Sequence, residues 1–98
     1  MDLQQVSQAL SNPTRLKLIR LIRANPCSAS EAHKRYIEQY EDKKRESIYR
    51  ELENLVEASL LIKDYNTQKK EIQYSLSHTM LHINLETLSI EPANGKNI

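Results

Sequence analysis

Through the first sixty residues, apolar positions recur at helical rather than strand spacing. Leu3, Val6 and Leu10 lie on one face of a short segment from Asp2 to Leu10. Asn12 followed by Pro13 reads as a cap and a proline at the first helical position, where the missing N–H costs nothing. The helix it opens runs to about Ala24, burying some of Leu16, Leu18, Ile19, Leu21 and Ile22, and Asn25-Pro26 ends it. Ser28-Ala29-Ser30-Glu31 matches a capping box and predicts a helix to about Tyr40. A polar turn, Glu41-Asp42-Lys43, follows, with Asp42 as the expected cap of the next helix. That helix carries Ile48, Leu52, Leu55 and Val56 at i, i+4, i+7 and i+8, the clearest periodic signal in the chain.

From Leu60 the pattern changes. Leu60 to Tyr65 reads as a strand, Asn66-Thr67-Gln68-Lys69 as a turn, and Ile72, Tyr74 and Leu76 alternate with polar residues as on a half-buried strand. Ser77 is then expected to cap a last helix with Leu81, Leu85 and Leu88 on one face. The final segment, 91–98, has no packing pattern and is expected to fray from a single domain spanning 1–90. The fold class is therefore mainly α with a small β-hairpin. Its order is that of a winged helix-turn-helix, flanked by N- and C-terminal helices suited to dimerisation, whose helix after the turn enters the major groove of DNA.

Composition narrows the function classes. The 98 residues suffice for one domain and include five Tyr but no Phe or Trp, so Leu, Ile and Val must build the core. A single cysteine, Cys27, excludes an internal disulfide and a multi-thiolate zinc site in one chain. The first residues lack the apolar run of a signal peptide and no stretch approaches a membrane span, so a cytoplasmic location without membrane contact is expected. No nucleophile–base pairing or glycine-rich phosphate loop is present, the single glycine being Gly95, so no enzyme and no cofactor is expected.

Net charge is only +1, and the placement of the charges matters more. Arg15, Lys17, Arg20 and Arg23 crowd one helix, where they read as solvated. Lys43, Lys44 and Arg45 form a run, with Glu51, Glu53 and Glu57 further along the same segment.

Ala9-Leu10-Ser11-Asn12-Pro13-Thr14-Arg15-Leu16-Lys17-Leu18-Ile19 resembles the opening of ArsR-like transcriptional regulators. The run from Ser47 to Leu61 resembles their recognition helix leading into the first wing strand, and Tyr74-Ser75-Leu76 the end of the second. Ser59 stands where that family commonly has a helix-ending glycine. The resemblance implies a homodimer joined through the first and last helices and acting mostly as a repressor. Metal-sensing members use cysteine pairs near the recognition helix, or His and Asp ligands in the last helix. The recognition segment here has no cysteine.

With Ile48, Leu52 and Leu55 turned inward, Lys43, Lys44, Arg45, Ser47, Tyr49 and Arg50 fall on or near the exposed start of the recognition helix. Arginine forks there suit guanine or phosphate, and the hydroxyls can donate to phosphate or base edges. Lys69 and Lys70 at the wing tip suit the adjacent backbone or minor groove. Leu3, Val6, Leu10, Leu81, Leu85 and Leu88 are the expected dimer interface. His78, His82 and Glu86 at i, i+4 and i+8 would form a helical row, but no metal site is assigned, and no small-molecule effector is evident. The expected partners are double-stranded DNA and a second copy of the chain. The alternative, motivated by the near-neutral charge and by Glu46, Glu51 and Glu53, is a winged-helix protein-interaction module without DNA binding.

Overall fold

The computed structural model describes residues 1–93. Four helices come first: α1 (Leu3–Leu10), α2 (Pro13–Ala24), α3 (Ala29–Gln39) and α4 (Arg45–Glu57). Local capping explains three of their starts. Asp2 Oδ1 accepts from the Gln5 amide at 2.8 Å, Asn12 Oδ1 from Arg15 at 3.0 Å, and Ser28 Oγ from Glu31 at 3.2 Å. The capping box is only half realised, because the Glu31 carboxylate takes Arg35 Nε at 3.1 Å instead. Asp42 does not cap α4. That helix starts from Lys44, whose side chain makes no capping bond.

α4 ends in a Schellman motif. The Leu60 amide reaches back to Leu55 O at 2.9 Å and the Ser59 amide to Val56 O at 2.9 Å, with Ser59 held at φ 65°. The chain then enters a hairpin of β1 (Leu61–Asn66) and β2 (Glu71–Leu76), antiparallel in the register Leu61↔Leu76 to Asn66↔Glu71. On the other side of β2, Cys27 forms a bridge with Tyr74, exchanging backbone bonds of 2.8 and 3.3 Å, so the loop before α3 extends the wing's sheet.

The expected C-terminal helix does not form. Residues after Ser77 make a second hairpin, β3 (Leu81–Asn84) paired with β4 (Ser89–Pro92) in the register Leu81↔Pro92 to Asn84↔Ser89. The spacing of Leu81, Leu85 and Leu88 fits a helical face, but tertiary context favours pairing. Ile90 is drawn into the main core at 5% exposure, which fixes β4 and leaves β3 as its antiparallel partner. Both hairpins turn the same way. Asn66 Oδ1 accepts from the Lys69 amide and Asn84 Oδ1 from those of Glu86 and Thr87, and each loop ends in a left-handed residue, Lys70 at φ 55° or Leu88 at φ 53°. Strand β4 takes in Glu91 and Pro92, the start of the segment expected to fray. The Ala93 amide then donates to Met80 O at 3.0 Å, and the remaining residues, 94–98, lie outside the described residues.

Helices α2, α3 and α4 pack pairwise around one core, with the wing against α2 and α4. Val6, Leu18, Ile22, Tyr36, Ile48, Leu52, Leu55 and Leu61 are its largest fully buried side chains. At roughly 1.5–3 kcal/mol for each aliphatic side chain removed from water, this shared cluster holds the helices and wing together. The architecture is a winged helix with a second hairpin after the wing. No helix among the described residues is long and apolar enough to cross a membrane.

Candidate nucleic-acid interface

The turn between α3 and α4 is braced from three sides, which fixes where α4 begins. The hydroxyl of buried Tyr36 donates to the Glu41 carboxylate, and Lys17 Nζ from α2 reaches the other oxygen at 2.9 Å. The same ammonium lies over the Tyr40 ring, 5.3 Å from its centroid. His33 Nε2 donates to Lys43 O at 2.8 Å. The bonds from Tyr36 and then Lys17 hold the Glu41 carboxyl below the usual carboxylate range, while burial, followed by the bond to Glu41, pushes the Tyr36 phenol upward. Lys17, expected to be merely solvated, is thus part of the brace.

Beyond this brace Lys43, Lys44, Arg45 and Arg50 are all exposed, and Ser47 and Tyr49 are half-buried. None of the four cations enters a salt bridge among the described residues. They surround the start of α4, where unsatisfied amides and the helix dipole add positive potential. Two of the acids further along the helix are occupied. Glu51 takes Arg15 Nη1 at 2.6 Å and the Asn54 amide at 3.0 Å. Burial pushes the Glu51 carboxyl upward, but these partners outweigh it and hold it below its ordinary value. Glu53 takes the Tyr74 hydroxyl at 2.7 Å and Lys63 Nζ at 3.1 Å, which fastens the wing to the side of α4. Along α4, the free cations at its beginning stand beside exposed Glu46, and further on Glu51 and Glu53 are neutralised within the fold while Glu57 at its end is exposed.

Arg15 also departs from its expected solvated role. Its guanidinium bonds Ala9 O at 2.8 Å, Gln8 O at 3.1 Å and Glu51, joining α1, α2 and α4. At the wing tip Lys69 and Lys70 are exposed, as the sequence suggests. Beside them, Tyr65 and Ile72 are directly paired and remain 60% and 52% exposed. Register places this pair on the face that carries Lys63 and Tyr74 toward α4. Neither is among the residues expected at the interface, although each alternates with polar neighbours along its strand.

The residues expected at a dimer interface do not form one seam. Val6 is enclosed in its own chain's core, and Leu3 and Leu81 pack against that core. Leu10 lies at the end of α1, and Leu85 and Leu88 flank the second hairpin's turn at 78% and 67% exposure. The helical row of His78, His82 and Glu86 is also absent, because His82 lies on β3 and Glu86 in the following turn. No group of three His, Cys, Asp or Glu side chains converges among the described residues in the manner of a metal site.

No family model matches the chain, and no curated protein matches it. Among solved structures it is similar to the ferric uptake regulator of Pseudomonas aeruginosa, determined with manganese. The identity is 18% and the TM-score 0.57, over 87% of this chain and 67% of that one. A likeness at that identity concerns the backbone alone. The chain has a winged-helix fold, and a transcriptional regulator is among the solved proteins that share it.

Proposed function

We propose that this chain is a sequence-specific double-stranded DNA-binding transcriptional regulator, a repressor, acting as a homodimer. The observation that carries the reading is the set of unpaired cations around the start of α4, Lys43, Lys44, Arg45 and Arg50, on a helix where Glu51 and Glu53 are neutralised from within the fold. In this reading Arg45 and Arg50 present forks to guanine or phosphate, Ser47 and Tyr49 donate to nearby acceptors, and Lys43 and Lys44 hold the backbone. Lys69 and Lys70 extend the contact from the wing, with Tyr65 beside them. The likeness to a ferric uptake regulator supports the assignment at the level of fold.

The second copy is expected at the second hairpin. A lone two-stranded hairpin is marginal in water, and Ile83, Leu85 and Leu88 leave this one an exposed apolar surface. A dimer would place two α4 helices on half-sites about 34 Å apart, one turn of the duplex. The alternative of a protein-interaction module rested on the near-neutral charge and on Glu46, Glu51 and Glu53; of these acids Glu51 and Glu53 are paired inside the fold, and Glu46 is exposed.

The test is fluorescence anisotropy on DNA upstream of the chain's own gene and on a scrambled duplex, across a salt series. Tighter binding to the former, weakening linearly with log salt, is expected. Arg45→Ala/Arg50→Ala should cost about 1–3 kcal/mol for each lost base contact. Unchanged affinity in that variant would remove α4 from the interface, and no binding at low salt would favour the protein-interaction module.

A further inference from the structure

The side of the bundle opposite α4 carries a second concentration of positive charge. Helices α2, α3 and α4 pack pairwise, so the outer groove between α2 and α3 faces away from α4. That groove opens a cavity of about 440 Å³ whose polar lining is Arg20, Arg23 and Asn25 from the end of α2, and Arg35, Gln39 and Tyr40 from α3. No carboxylate lines it. Arg20 and Arg23 are exposed and join no salt bridge among the described residues. Arg35 is held in place from behind, with Nε on Glu31 at 3.1 Å and Nη1 on Asn25 O at 2.9 Å. Those two bonds use part of a five-donor fork, and the remainder adjoins the groove.

We infer that the α2–α3 groove binds a small polyphosphate-class anion, a ligand bearing two or more linked phosphoryl groups. Among the described residues Arg20 and Arg23 join no acid and only Arg35 is offset, by Glu31, so the groove keeps a surplus of positive charge that an anion of matching geometry relieves. Planar arginine forks suit phosphoryl oxygens in a way that lysine point charges do not. The volume falls within the range of small-molecule sites and exceeds what one phosphate fills. Leu21 and Ala24, which also line the groove, supply an apolar floor for the rest of such a ligand. The groove reaches as far as Tyr40, which the Lys17 ammonium covers, so it abuts the brace of the α3–α4 turn and not α4 itself.

The experiment is isothermal titration of the intact protein with inorganic pyrophosphate and with tripolyphosphate, at low salt and without DNA. Saturable one-to-one binding is expected, tighter for tripolyphosphate. Arg20→Ala/Arg23→Ala should weaken it about tenfold or more, as expected for the loss of charged hydrogen bonds. Arg20→Lys/Arg23→Lys, which keeps the charge but not the fork, should recover only part of the loss. Circular dichroism confirms that both variants are folded. Absence of saturable binding, or equal binding by the alanine variant, overturns the inference. So does a loss of DNA affinity in the alanine variant matching that of Arg45→Ala/Arg50→Ala, because the groove would then belong to the DNA interface. Retained polyphosphate binding by Arg45→Ala/Arg50→Ala is expected whether or not the chain proves to bind DNA, so the two proposals fail separately.

Discussion

Replacing Ser59 with glycine should stabilise the protein. Ser59 occupies the left-handed position that closes α4, at φ 65°, where a Cβ crowds the following carbonyl. For an L-residue that conformation costs roughly 1–2 kcal/mol. Glycine removes the crowding but brings a more flexible unfolded chain, which returns about 0.5–1 kcal/mol. The side chain is exposed, and the one neighbouring side-chain bond, from Ser77 Oγ, goes to the Ser59 carbonyl, which glycine keeps. The net gain is therefore about 0.5–1 kcal/mol, or about 2–8 °C in Tm for a domain of this size. Thermal and urea unfolding of Ser59→Gly, with Ser59→Ala as control, measure it. Alanine keeps the Cβ and should stay within about 0.5 kcal/mol of the parent. If glycine and alanine behave alike, the strain assigned to Ser59 is not there and the reasoning fails.

Tyr74→Phe should cost about 1 kcal/mol in urea unfolding, because Glu53 loses a hydrogen bond that ties the wing to α4 while Lys63 remains. Stability should fall on acidification. Glu51 and Glu53 are held below their ordinary value of 4.5, so the unfolded chain binds protons first, and their contribution, complete above that pH, is lost as pH drops through the lower folded values. A series of urea midpoints from pH 7 to pH 3 checks the sign, and a midpoint that rises toward pH 3 would contradict it. Cys27 is buried, and burial pushes its thiol pKa upward, so a thiol reagent should label it fully in urea but slowly in buffer. Rapid native labelling would show that the loop at the edge of the wing opens readily.

The helical half of the fold is legible because its signals are local. Asn12-Pro13 starts α2, Ser28 starts α3, and the stripe of Ile48, Leu52 and Leu55 defines the buried face of α4 without reference to distant residues. The wing is legible for the same reason, since Ile72, Tyr74 and Leu76 alternate beside a turn. The cationic start of α4 can also be read from the chain, but only the tertiary structure shows that Arg15, Lys63 and Tyr74 occupy the acids that follow it. The bond of Arg15 to Glu51 and that of Lys17 to Glu41 remove both cations from the solvated face to which their neighbours assign them.

The last element lies beyond the reach of local pattern. Leu81, Leu85 and Leu88 satisfy a helical period, and a short segment of this kind is open to either state. A local cue to the alternative exists in Asn84, which stands at the same offset before a left-handed residue as Asn66 does in the wing. The decision rests on burial of Ile90 in a core built from the preceding helices and wing, a non-local interaction that intrinsic propensity does not encode. Chain-local capping and periodicity determined the four helices and the wing, whereas packing between distant residues decided the second hairpin, the neutralised acids and the arginine-lined groove.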